Sequence, residues 1–204
     1  RALARVTSET AYADAAAQIA RGLGRAWSGA HGQLARGIAA EGPDEVLALD
    51  CASWGSLFLG ALADRDRAET AAAVADASFA ARDPRTGAKG HRMQRRGPIM
   101  ESPLLMRIFG SRVAGRDWAQ LDAVWPEGSA GVALAALRAG RAERARAILD
   151  GLEPLRAASG SLPSSTVSIP FLFDTRPSIA GTAWVELVRF ELGRPPGQPS
   201  FWVP

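Results

Sequence analysis

The chain has 204 residues, 47% hydrophobic and 22% charged, with net charge +3 and pI ≈ 9.9. That length and balance fit one soluble globular domain spanning 1–204, with material for one sizeable core. No stretch approaches the roughly 18–20 unbroken apolar residues of a membrane span, so no membrane insertion is expected.

The basic balance comes from arginine, since Lys89 is the single lysine. Most arginines are interleaved with acids, as in "ADRDRAE" and "RAERARA", which reads as solvated helix surface rather than a nucleic-acid face. One dense cluster, "KGHRMQRR" at 89–96, fits a solvated loop as well as an anion site. Cys51 stands alone, which excludes an intrachain disulfide and a cysteine-based metal site. His31 and His91 lack metal-ligand spacing, and no Ser or Cys sits in a nucleophile motif. Neither a metal nor a cofactor is expected. The first residue is Arg1 rather than Met, so a processed or truncated chain is expected, with any targeting segment upstream.

In chain order, "TAYADAAAQIARGLGRAW" (10–27) sets Tyr12, Ala16, Ile19, Leu23 and Trp27 at helical spacing, which predicts a helix with a buried apolar face. "DCASWGSLFLGALA" (50–63) and "RAETAAAVADASFAA" (67–81) predict two more helices joined by a short turn. The segment 85–122, rich in Gly, Pro and Arg, reads as a long connection, usually functional when it interrupts a compact domain. "SAGVALAALRAG" (129–140) predicts a helix stopped at Gly140, and "RAERARAILDGLEPL" returns antiparallel to it. A second connection, 159–177, holds Phe171 and Phe173 and is expected to be packed, with short strands near "TVSI" and "FLF". The last helix, "SIAGTAWVELVRFELG" (178–193), is framed by Pro177 and Gly193. The tail "RPPGQPSFWVP" cannot be helical, and Phe201 and Trp202 are expected to dock on the body.

An internal repeat runs through these elements. A shift of 77 residues lays Asp50 on Glu127, Leu57 on Leu134, Arg67 on Arg144 and Ala68 on Ala145. A further shift of 50 lays Ala130 on Ala180, Gly131 on Gly181, Ala133 on Ala183 and Leu137 on Leu187. Gly55, Gly131 and Gly181 are expected to permit close helix–helix approach. The pattern predicts an all-α chain of antiparallel helical hairpins, arranged as a solenoid or closed into an α/α toroid.

Three stretches, "LALDCASWGSLFL", "AVWPEGSAGVALAALRAGRAERA" and "FDTRPSIAGTAWVELV", resemble the C-terminal half of six-hairpin glycosidase-like (α/α)6-barrel proteins. The resemblance covers roughly residues 10–193 and rests on the order and spacing of all three. It implies that the starts of the inner helices line one end of a barrel, where a polysaccharide binds. Hydrolases, lyases, phosphorylases and epimerases share that architecture. A full barrel needs twelve helices and this chain offers six or seven. A missing N-terminal segment or a second subunit would complete the ring; otherwise the toroid is partial.

The site expected on these grounds pairs Glu127 as general acid with Asp50 as second carboxylate or substrate-orienting group. Trp125 would be a stacking platform, with Trp54, Asp174 and Arg176 as further sugar contacts. Sugars present flat apolar faces edged with hydroxyls, which indoles stack on and charged groups bond. Each residue also has a purely structural reading. Asp50 fits a helix N-cap with Ser53 at N3, and Glu127 a first-turn acid favoured by the helix dipole. Trp54 and Trp184 fit the core, Asp174 and Arg176 fit a surface pair, and Cys51 fits a small buried hydrophobe. Tyr12 and His31 are cleft candidates by position alone. The expected function is a glycoside hydrolase acting on a secreted or cell-envelope polysaccharide rather than a cytoplasmic substrate. The alternatives are a non-catalytic polysaccharide-binding or assembly module and, further off, a terpenoid cyclase-like toroid.

Overall fold

The computed structural model describes residues 6–40, 42–44, 46–99, 103–113, 115–195, 197, 198 and 200. The expected docking of Phe201 and Trp202 lies outside the described residues. Seven α-helices occur among the described residues, in the order α1 (Thr10–Gly24), α2 (Leu49–Ala61), α3 (Arg65–Ser78), α4 (Pro103–Val113), α5 (Pro126–Arg138), α6 (Ala142–Gly151) and α7 (Ile179–Leu192). Four short antiparallel hairpins accompany them: β1 (Trp27–Ser28) with β2 (Gln33–Leu34), β3 (Ile38–Ala39) with β4 (Gly42–Pro43), β5 (Ala80–Arg82) with β6 (Lys89–His91), and β7 (Leu162–Pro163) with β8 (Pro177–Ser178). The chain is therefore about half helical, with more short strands than those expected near "TVSI" and "FLF".

Helices α2, α5 and α7 lie side by side, α5 in the middle, while α3 and α6 fold back on α2 and α5. The main core fills the space between them. Leu49, Phe79, Leu134, Leu149 and Val185 are buried there, and α5 is the most deeply enclosed helix, burying ten residues. A central helix must be apolar all round, which "AGVALAA" satisfies. A second, smaller cluster gathers Met93, Ile99, Trp118, Ala123 and Ile169. Trp125 packs against both clusters.

The two hairpins end their first helices in the same way. In α5 the Arg141 amide donates to Ala136 O at 2.9 Å, and in α2 the Asp64 amide donates to Leu59 O at 3.0 Å. These Schellman bonds are 77 residues apart at both donor and acceptor, as the repeat requires. The left-handed residue between helices is Gly140 (φ 74°) in one hairpin and Ala63 (φ 64°) in the other. An alanine there carries a Cβ clash that glycine avoids. Ala63→Gly is therefore expected to stabilise the protein by about 1 kcal/mol, read as a shifted denaturation midpoint at unchanged slope. A midpoint that stays or falls would refute the strain.

Several expectations need correction. Helix α1 forms, but its stripe is not buried: Tyr12, Ile19 and Leu23 are exposed, and no residue of α1 is buried. Segment 85–122 is not one long connection, because it contains β6, α4 and a 3-10 turn at Trp118–Gln120. The strands of segment 159–177 are Leu162–Pro163 and Pro177–Ser178, while "TVSI" and "FLF" contribute one bridge, Ile169 to Phe173. Of the three repeat glycines, Gly131 alone serves helix–helix approach. A Cβ there would lie 3.3 Å from Ser53 Oγ and 3.7 Å from the Trp54 indole on α2. Gly55 instead faces Leu34 of β2, and Gly181 faces the Pro163 carbonyl of β7. Among the described residues no helix is long and apolar enough to cross a membrane.

Candidate functional site

Asp50 is the second residue of α2 and Glu127 the second residue of α5, so the repeat sets two carboxylates at matching points of neighbouring helices. Asp50 does not cap its helix. The N-cap is Ala48, and no side chain caps either α2 or α5. The N-cap reading of Asp50 therefore falls, and neither acid is spent on capping its helix.

Their electrostatics are coupled. Asp50 is open to solvent yet partly desolvated by the protein around it. Its pKa is raised to about 6, first by desolvation and then by the negative charge of Glu127, with the hydrogen bond from the Trp54 indole N–H partly offsetting both. Glu127 is half-buried, and burial raises its pKa too. A first-turn carboxylate is ordinarily eased by the helix dipole. Here desolvation and mutual repulsion dominate that benefit. Two acids held close enough to repel, each at some cost in solvation, are what a proton-handling or polar-binding site retains.

The indoles divide between core and site. Trp54 is half-buried, bonds Asp50 and meets Trp184 edge-on at 4.8 Å between ring centres. It is thus a core residue with its polar edge at the carboxylate. Trp125 is half-buried, meets Phe173 edge-on at 5.6 Å and lies directly over Gly128. Its backbone N–H donates to His91 O at 2.9 Å, and its carbonyl accepts from Ser129 Oγ at 2.8 Å. Packing thus accounts for most of the Trp-Pro-Glu-Gly setting and fixes where Glu127 projects.

Asp174 and Arg176 bind each other. Arg176 Nε donates to Asp174 Oδ2 at 2.5 Å, and the Arg176 backbone N–H donates to Oδ1 at 2.6 Å. This is an exposed surface pair in the β7–β8 connection, and the described contacts do not join it to Asp50 or Glu127. Cys51 is half-buried, with its thiol pushed up to about 11 by burial and by the charge of Asp50. It is not a nucleophile at neutral pH. Tyr12 lies on solvent-facing α1, and His31 sits in the β1–β2 turn, away from the acids by sequence and element.

Two charged residues near the site carry no sequence motif. Arg36 Nε donates to Asp44 Oδ2 at 2.8 Å, and the charges of both reach Cys51, beside Asp50. They lie in the loop around β3 and β4, where the only available signal was the placement of opposite charges within the irregular segment before α2. Open recesses lie elsewhere. One of 790 Å³ opens between α2, α3 and α5 beside Leu57 and Arg138, and another of 760 Å³ lies beneath β5–β6. The carboxylates occupy open helix ends, an arrangement suited to an extended ligand rather than an engulfed small one. No group of three potential metal ligands occurs among the described residues. Compared with protein-family models, curated proteins and solved structures, the chain matches none.

Proposed function

We propose that the protein acts on a polysaccharide, as a glycoside hydrolase whose paired carboxylates are Asp50 and Glu127. The observation that carries this reading is the placing of two water-accessible acids at equivalent starts of the packed helices α2 and α5, where the Glu127 charge reaches Asp50. One acid must hold a proton and the other must be ionised for acid–base cleavage of a glycosidic bond. Asp50, raised to about 6 by desolvation and by the charge of Glu127, is assigned the proton, and Glu127 is assigned the part of the anion. That exchanges the roles expected from the Trp-Pro-Glu-Gly motif. Trp54 positions Asp50 by its N–H, and the exposed part of Trp125 offers an apolar face beside Glu127. The array α2, α5, α7 with returns α3 and α6 fits part of an α/α toroid, with the acids at one end.

A second reading, a polysaccharide-binding module, draws on a different observation. The acids stand at the starts of two neighbouring helices of the row, Asp50 exposed and Glu127 half-buried, and neither lines a recess among the described residues. The two readings part in a single assay. The protein is incubated with a panel of neutral and acidic polysaccharides at pH 5 and pH 7, and both new reducing ends and retardation in polysaccharide-loaded gels are recorded. Release of reducing ends at pH 5 supports the enzyme, and retardation alone supports the module. Neither effect across the panel would overturn both.

A further inference from the structure

The recess beneath β5–β6 is separate from the carboxylate pair. It has a volume of 760 Å³ and is framed by the hairpin and by α6. Its charged lining is Arg82, Lys89, Arg92 and Arg144 against a single acid, Asp122. One of these four is already committed. Arg144 grips Asp76 through Nε at 2.7 Å and Nη2 at 2.5 Å.

The other three are poorly accommodated by the protein alone. Arg82 and Lys89 face each other as direct cross-strand partners in the β5–β6 ladder. Like charges placed directly opposite in a two-stranded ribbon repel and destabilise it. Arg92 donates from Nη1 to Ala119 O at 2.8 Å and from Nη2 to Ala80 O at 3.5 Å, but its Nε is buried without a hydrogen-bond partner among the described residues. His91, only 2% exposed and also lining the recess, sets Nε2 3.3 Å from Asp76 Oδ1 and leaves Nδ1 buried and unpartnered. Buried polar atoms are almost always satisfied, and the orphaned Arg92 Nε–H beside this cationic recess marks a missing acceptor oxygen, whereas His91 Nδ1, with Nε2–H turned to Asp76, is itself an acceptor.

We infer that this recess binds a phosphoryl group, with Arg82 and Lys89 as its outer cationic ligands and Arg92 as a deeper donor. Two cations without an ion-pair partner among the described residues and a third with an unsatisfied N–H suit a dianion better than a single carboxylate, since guanidinium and ammonium groups bind phosphate oxygens strongly. The site stands independently of the polysaccharide reading.

The test uses thermal denaturation and calorimetric titration of the wild-type chain and of the double variant Arg82→Gln/Lys89→Gln, with sodium chloride at matched ionic strength as reference. Inorganic phosphate is expected to raise the melting temperature of the wild type beyond the chloride reference. Glucose 6-phosphate and glucuronate form the other arms. Tighter binding of the hexose phosphate than of inorganic phosphate identifies a phosphorylated saccharide, and the reverse identifies free phosphate. The double variant is expected to bind at least tenfold more weakly. Without phosphate it is expected to melt higher than wild type, because the repulsion across the ladder is gone. That opposite sign separates a ligand site from a structural role. Stabilisation no greater than chloride gives, binding of glucuronate alone, or unchanged phosphate affinity in the double variant would each overturn the assignment.

Discussion

Gly128→Val is expected to cost about 3 kcal/mol, at the upper end of overpacking penalties. A Cβ at position 128 would fall 2.2 Å from Trp125 Cε3, 2.6 Å from its Cζ3 and 2.8 Å from Leu49 Cδ2. None of these atoms can retreat easily. The Trp125 ring is rigid, wedged against Phe173, and its backbone is pinned to His91 and Ser129. Leu49 is fully buried. Valine adds two γ-carbons to the conflict and is stiff at χ1. For a chain of this size the loss corresponds to a fall of roughly 6–12 °C in melting temperature. Gly22→Ala is the matched control, because nothing lies within 4 Å of a Cβ there and the residue is in the body of α1. That change is expected to leave the melting temperature level or slightly raised. Equal melting of the two variants would show that Trp125 does not rest on Gly128.

The same contact explains what could be read from residues and what could not. Helical periodicity located α2, α3, α5, α6 and α7 to within a few residues, because each of them packs its apolar side against the body of the array. The repeat of 77 residues correctly paired Asp50 with Glu127 and, unforeseen, Ala63 with Gly140. Periodicity also found α1 but misjudged its burial, since Tyr12, Ile19 and Leu23 form a stripe that no described element covers. Helix α4 went unread because Gly, Pro and Arg surround it, and Leu104 and Ile108 on it are exposed rather than buried. Trp125 beside Glu127 looked like a setting for a ligand. In the fold it is first a packing device, and sequence adjacency cannot separate those roles. The coupling of the acids was illegible for another reason. It depends on the separation of α2 and α5, which is set where Gly131 meets Ser53 and Trp54, a contact between residues far apart in the chain.

Glu127→Gln and Asp50→Asn are expected to have the largest effects on turnover, and the proposed roles make them differ. Loss of a positioned acid or base costs about 10²–10⁴-fold. Glu127→Gln should lower the rate by at least about 10²-fold on every glycoside tested. Asp50→Asn should be as damaging on a natural polysaccharide but much less so on an aryl glycoside whose leaving group needs no proton. The wild-type rate should fall as pH rises through about 6, where Asp50 loses its proton. Stability supplies a substrate-free check of the same ionisation. The unfolded Asp50 carboxyl titrates near 3.8 and the folded one near 6, so the native state holds the proton more tightly in that interval. Stability from this group is therefore full below 3.8, declines as pH rises through about 6, and stays low above it. Asp50→Asn removes the ionisation, so it should raise the melting temperature at pH 8 and lose that advantage at pH 3.5. Glu127→Gln removes the neighbouring charge and should bring the Asp50 titration down from about 6, visible as an earlier carboxyl resonance shift with pH. An Asp50 titration indifferent to Glu127→Gln would mean that the two acids do not share a site, and the acid–base pair would fail with it.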